Sequence, residues 1–355
     1  MHTPTDRLED LARAMPKVLL HEHLDGDLRV ATLFELLHQR GLPCPAADVP
    51  ELERWFDTRA HAGSLVRYLE GFALTVAAMA TPAGMERVAF EAAEDALAQG
   101  AVLAEFRIAP LLFETHGVAP EAAVEALLAG LQRSRLPSGL IVCAMRHLPP
   151  AETVRAARLA LRYAGRGVIG FDLAGPEFGH PPGEHAEALQ LARDGGLALT
   201  LHAGEADAAE RVLEAARLGA TRVGHGVHLV DAIGSATRGG LVQEAIERGL
   251  HLEVCPTSNV HTGAAASIAT HPITALWRAG VSLSFHTDNT LMSCITHSGE
   301  ALELLQHTPL QLADLIEMQR QAALHSFLRE DVRRQALAAI DAFAQAQGAG
   351  VRTSP

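Results

Sequence analysis

Long apolar runs are missing from this 355-residue chain. No stretch approaches the roughly 18 apolar residues of a membrane span, so no transmembrane helix is expected. The first residues show no basic start followed by an apolar run, so no signal peptide is read there. Cysteine is scarce: Cys44, Cys143, Cys255 and Cys294 are scattered with no CxxC pair. That argues against a disulfide framework or a thiolate zinc site and for a reduced, cytoplasmic compartment. Positive charge is short as well. With 29 basic against 42 acidic residues, the formal net charge of −13 disfavours nucleic acid or an anionic membrane as partner. A small or neutral ligand fits better. Lysine is almost absent, Lys17 being the only one.

Histidine, by contrast, is well placed. Residues 18–23 read as a strand, in which side chains alternate, so His21 and His23 project to the same face. Two such imidazoles can hold one metal, and a catalytic zinc needs three or four protein groups with one position left for water. An HxH alone is a weak signal, because two packed histidines look the same.

The length allows two domains or one large α/β barrel. Further apolar runs at 101–108, 139–145, 167–172, 197–202, 221–225, 250–255 and 281–286 alternate with helical patterns, among them 29–37, 46–80, 85–99, 150–163 and 272–279. Asp207 and Glu210 have the spacing of a capping box. Eight strands alternating with helices predict an α/β fold, a (β/α)8 TIM barrel spanning residues 1–355 as one domain. Residues 42–82 form a helical insertion after strand one, and the tail, 309–327 and 331–347, reads as extra helix closing the barrel end. Leu65, Tyr68, Leu69 and Phe72 share one face of the insertion, which is either core packing or a lid over a pocket. The polar residues then fall into one pattern: His21 and His23, Asp172, His202, His225 and Asp288 all stand at strand ends. Active sites of this fold are built at the C-terminal ends of the strands. A chance scatter of 19 histidines would not place them there repeatedly.

Six motifs carry a resemblance. His21-Glu22-His23-Leu24-Asp25-Gly26, the run from Phe171 to Glu177, His202-Ala203-Gly204-Glu205, Val223-Gly224-His225-Gly226, the run from Val254 to Asn259, and Thr287-Asp288-Asn289 resemble the adenosine deaminase family of zinc hydrolases, in the family's order across residues 16–292. The resemblance implies one zinc per chain, held by His21, His23, His202 and Asp288. It implies Glu205 as proton donor to the purine ring and His225 as the residue that orients and stabilises the attacking hydroxide. Gly175 would offer its backbone amide to the purine, Asp25 would accept a sugar hydroxyl, and Leu65, Tyr68, Leu69 and Phe72 would flank the purine pocket. Binuclear relatives need a carboxylated lysine on a central strand, and the lone Lys17 precedes strand one, so a mononuclear site is expected. Deaminases acting on cytosine need H-x-E with P-C-x-x-C, which Cys255-Pro256 does not supply.

The implied reaction is zinc-dependent hydrolysis of a 6-aminopurine nucleoside, adenosine or 2′-deoxyadenosine, to inosine or 2′-deoxyinosine and ammonia. A modified adenosine such as 6-aminodeoxyfutalosine, free adenine, or a binding relative without chemistry are the alternatives. Two positions depart from the family pattern. Asn289 stands where a second Asp is common, and its amide can donate at any pH. His286 replaces the usual Asn and, two residues before Asp288, is expected to touch the metal's surroundings or the sugar end of the pocket.

Overall fold

The computed structural model describes residues 4–61 and 65–348. Helix α1 (Pro4–Ala14) leads into β1 (Lys17–His23), and a 3-10 turn at Leu24–Gly26 precedes α2 (Val30–Gln39). The region read as helix over 46–80 is two helices, α3 (Val49–Ala60) and α4 (Leu65–Met79). Asp48 caps the first by accepting the Glu51 amide, and Pro50 stands in its first turn. From there the alternation is regular: α5 (Pro82–Ala98), β2 (Ala101–Ile108), α6 (Pro120–Arg133), β3 (Ser138–Met145), α7 (Pro150–Arg162), β4 (Val168–Ala174), α8 (Ala186–Asp194) and β5 (Ala198–Ala203). The second half continues with α9 (Ala209–Arg217), β6 (Arg222–His225), α10 (Gly239–Glu247), β7 (His251–Val254), α11 (Pro256–Thr262), α12 (Ile273–Arg278) and β8 (Ser282–Phe285). Three helices finish the described chain: α13 (His297–His307), α14 (Leu312–His325) and α15 (Glu330–Ala346).

The strands form one parallel sheet in the order β1 to β8, each paired with its sequence neighbour. This is the expected α/β barrel, and its strands are buried on both faces, as parallel sheets covered by helices require. No helix among the described residues is long and apolar enough to cross a membrane. The capping box expected at Asp207 is not formed. Helix α9 starts after Ala208 without a side-chain cap, because the Asp207 carboxylate accepts the adjacent Ala208 amide at 2.7 Å and Arg211 Nε at 3.1 Å instead.

Closure between β8 and β1 is by side chains more than by ladder. One parallel bridge joins Glu22 to Asp288, with His23 N donating to Asp288 O at 2.9 Å. Further down the seam, Val18 N donates to Gln319 Oε1 at 2.6 Å and Leu20 N to His286 Nδ1 at 3.3 Å. Buried amides need partners, and these two side chains supply what an eighth ladder would have given. His286 also pairs through Nε2 with Ser284 Oγ at 2.7 Å and lines no part of the cavity described below. The structure thus assigns it to the seam, outside the cavity lining. Lys17 is the first residue of β1, its Nζ donating to Met15 O at 2.9 Å. The tail reaches the barrel floor, where Ser326 Oγ and Phe327 N both donate to Glu105 Oε1, at 2.6 and 2.5 Å.

Helix α13 reports on pH. Its Glu300 is fully buried and accepts the Thr257 amide at 2.9 Å, and burial pushes its carboxyl up to about 8. From its ordinary value near 4.3 up to about 8 the folded protein keeps a proton that the unfolded chain releases, so this group's contribution to stability declines as pH rises through that window. Urea midpoints at pH 5 and pH 8 are expected to differ less in Glu300→Gln than in the unaltered protein. An identical difference in both would contradict the burial effect.

Candidate active site

His21 and His23 lie on one face of β1 as strand alternation requires, His202 on β5 and Asp288 just after β8. Their ligand atoms all fall within 4.8 Å of one another. His23 Nε2 is 3.2 Å from His202 Nε2, and Asp288 Oδ1 is 3.3 Å from His21 Nε2 and 3.5 Å from His23 Nε2. Two ligands bound at 2.0–2.1 Å in tetrahedral geometry stand about 3.3 Å apart, so these spacings match a shared metal centre. His21 Nε2 is buried and has no hydrogen-bond partner. A buried imidazole nitrogen left so is costly unless something else occupies its lone pair. Three imidazoles and a carboxylate suit a divalent ion that takes nitrogen and oxygen donors.

Neutral imidazoles are needed for this, and two of the three rings are turned by a partner on the far nitrogen. Glu253 Oε2 holds His21 Nδ1 at 2.8 Å, and Asp172 holds His202 Nδ1 at 3.0 Å, so both Nε2 lone pairs face the centre. Burial alone would raise the pKa of both carboxyls, but their partners outweigh it: Arg107 and Arg222 hold Glu253 well below the usual range, and the hydrogen-bonded His202 ring together with Arg107 lowers Asp172. Burial keeps His23 well below its ordinary value, hence neutral. Asp288 receives Ser258 Oγ at 2.6 Å on Oδ2, leaving Oδ1 toward the cluster. The β6 residue Gly224 makes room: a methyl group there would come 2.7 Å from His21 Cε1. His225 and Asp288 both adopt left-handed backbone, φ 63° and 65°, uncommon for residues with a side chain and concentrated here at the cavity floor.

The cluster opens into a cavity of about 510 Å³, within the usual range for a small ligand. Of the expected site residues, Asp25, Phe72, Gly175, Glu205, His225 and Asn289 line it, beside His23, His202 and Asp288. His21 is wholly buried behind them. Leu65, Tyr68 and Leu69 lie outside the described residues as far as their side chains go, so only Phe72 of the apolar group can be placed. Glu205 Oε2 stands 3.6 Å from His225 Nε2, and its other oxygen accepts Thr262 Oγ1 at 2.9 Å. Its loop is pinned by Glu177, whose carboxylate accepts the amides of Gly204, Glu205 and Ala206 at 2.5, 3.0 and 2.8 Å. Gly175 has φ 94°, and a methyl group there would press on His147 and Met145 at 3.2 Å. Burial pushes the Asp25 carboxyl up to about 7.

Sequence reasoning missed Glu253, Arg107, Ser258 and Glu177 as parts of the site. Glu253 had a visible sign, a lone acidic residue between apolar neighbours in β7, whereas Arg107 shares β2 with Glu105. Glu177 stood within a quoted motif but carried no assigned role.

Against known proteins, a family pattern described as Adenosine deaminase matches residues 16–343. A curated adenosine deaminase from Mycobacterium sp. (strain JLS) is 43% identical, the match covering 96% of this chain and 97% of the relative. The chain belongs to the adenosine deaminase family. Membership makes it a deaminase, one of the hydrolases that remove an amino group. Another member, from Mycobacterium ulcerans (strain Agy99), is 41% identical over 91% of this chain and 93% of its own. Solved structures share the fold at lower identity. An adenine deaminase from Arthrobacter aurescens superposes with TM-score 0.83 at 22% identity, covering 94% of this chain and all of its own. A Burkholderia ambifaria amidohydrolase with bound Zn gives 0.84 at 24% identity, covering 99% and 96%.

Alanine at His202 is expected to abolish stoichiometric metal binding, while alanine at His286 leaves it intact. Metal content after dialysis checks both, and a metal-free His286→Ala protein would contradict the seam assignment.

Proposed function

We propose that the protein hydrolyses the 6-amino group of a purine nucleoside, adenosine or 2′-deoxyadenosine, releasing ammonia and leaving inosine or 2′-deoxyinosine. The observation that carries the reading is convergence. A three-histidine, one-aspartate cluster, a carboxyl at Glu205 and an imidazole at His225 face one cavity from four different strand ends. Zinc suits the donor set, and when bound it supplies a Lewis acid that lowers the pKa of water to about 7.

The chain's own residues do the rest. Glu205 gives its proton to a ring nitrogen, so that C6 accepts the incoming oxygen and the amino group departs as ammonia, water supplying the balance of atoms. His225, whose Nε2 stands 3.6 Å from the Glu205 carboxylate, steadies the attacking oxygen. Asn289 donates to the purine, Gly175 offers its amide with no side chain in the way, and Asp25 accepts a sugar hydroxyl. Helix α4, with Phe72 on the cavity wall, covers the base as a lid.

A nucleoside fits better than a nucleotide. Among the described residues the cavity lining holds neither lysine nor arginine, and burial lowers the pKa of His147 there, so a 5′-phosphate finds no fixed positive partner. The name of the mycobacterial relatives supports adenosine over adenine.

Competition among adenosine, 2′-deoxyadenosine, adenine, 6-aminodeoxyfutalosine and AMP, ranked by kcat/KM, tests the substrate. Adenosine or its 2′-deoxy form should lead, with AMP at least about 100-fold poorer; a preference for AMP, adenine or 6-aminodeoxyfutalosine would overturn the assignment. Glu205→Gln should lose about 100-fold or more of kcat with metal content unchanged, the usual scale for a missing proton donor.

A further inference from the structure

Behind His225 lies a chain of three hydrogen bonds that ends on the backbone. Asn259, on α11, places its amide 3.0 Å from His225 Nδ1. The other side of that amide is 3.3 Å from His271 Nε2, and His271 Nδ1 is 3.0 Å from the Ile273 amide nitrogen. All three side chains are buried.

One end of this chain is fixed by chemistry. Ile273 N can only donate, being the first amide of α12, and Pro272 before it has no N–H to compete. His271 Nδ1 is therefore an acceptor. Its remaining proton must sit on Nε2, where it faces Asn259 and requires the amide oxygen there. The amide NH2 is then turned toward His225 and can only donate. His225 Nδ1 has no choice but to accept. Its proton is held on Nε2, the nitrogen that faces Glu205 across the cavity floor. Burial, which pushes the His271 pKa down to about 3, keeps that ring neutral without altering the sequence of roles.

We infer that His271 and Asn259 are positioning residues that lock His225 in its Nε2–H tautomer, so that it enters the reaction as a hydrogen-bond donor to the attacking oxygen and not as a base that strips its proton. The consequence for catalysis rests on the deaminase reading above; the tautomer does not. Fixing such a donor before the substrate arrives is how a site stabilises developing negative charge without reorganising. The geometry also gives a reason for the His271-Pro272-Ile273 run: it supplies one free amide next to a histidine, at the start of a helix.

The test uses zinc-loaded protein labelled with 15N-histidine, the His225 signals being identified by their loss in His225→Gln. The unaltered protein should show His225 protonated at Nε2 and bare at Nδ1. In Asn259→Asp a carboxylate faces Nδ1 and must accept, so the proton should move to Nδ1 and adenosine turnover fall about 100-fold with zinc content unchanged. His271→Gln keeps a donor for Asn259 and should retain the original tautomer and most activity; His271→Leu should lose both. A merely structural role would leave the tautomer unmoved in every variant that folds. An Nδ1–H ring in the unaltered protein, or an Nε2–H ring in Asn259→Asp, refutes the relay. A protein that turns over no adenosine yet shows the swap keeps the relay and refutes the substrate reading.

Discussion

A line of alternating buried charge runs through the barrel, and the site hangs from its upper end. Glu105, tied to the C-terminal segment through Ser326 and Phe327, pairs with Arg222 at 2.7 Å; Arg222 pairs with Glu253 at 2.6 Å; Arg107 then joins Glu253 at 2.6 Å to Asp172 at 3.0 Å. Every one of these side chains is inaccessible to solvent. Removing one partner from such a set leaves an uncompensated charge and costs about 3–5 kcal/mol, whereas the set as a whole adds little over an apolar core. Its use here is orientation. The last two carboxylates grip the far nitrogens of His21 and His202 and so decide where their lone pairs point.

That arrangement explains why a barrel floor of this kind is charged at all. An apolar floor would pack as well but would leave two imidazoles free to rotate or to choose the wrong tautomer. His225 is governed from outside the barrel, through α11 and the turn before α12, so the cavity receives its histidines from two separate sources of order. The open end of the cavity is different in character, lined largely by apolar side chains and backbone with few fixed charges. Binding there is left to shape and a few polar groups, as expected for a neutral ligand.

Much of this was legible in the residues. The period of two around His21 and His23, and the repeated appearance of His or Asp at the ends of apolar runs, pointed to the barrel and to a polar site at its strand ends, whereas the choice of His21, His23, His202 and Asp288 as ligands came from the resemblance to the family. Arg107 and Glu253 were not legible as a pair because 146 positions separate them and each looks like an ordinary charge within a strand. His286 turned out to have a role in the barrel seam that the residues alone did not reveal. Counting two residues from it to Asp288 assumes extended backbone, but β8 ends at Phe285 and Asp288 turns left-handed, so strand alternation does not fix how the two side chains relate. The capping box at Asp207 failed because its carboxylate is taken by the adjacent Ala208 amide at 2.7 Å and by Arg211 Nε at 3.1 Å.

The central claim is spatial: three imidazoles and one carboxylate, drawn from β1, β5 and the residues after β8, surround one ion. Anomalous diffraction from zinc-soaked crystals, recorded on both sides of the zinc edge, measures it directly. The account requires a single strong peak about 2.0–2.2 Å from Nε2 of His21, His23 and His202 and from an oxygen of Asp288. A peak bonded to other residues, two peaks of equal strength, or none at full zinc loading would contradict it.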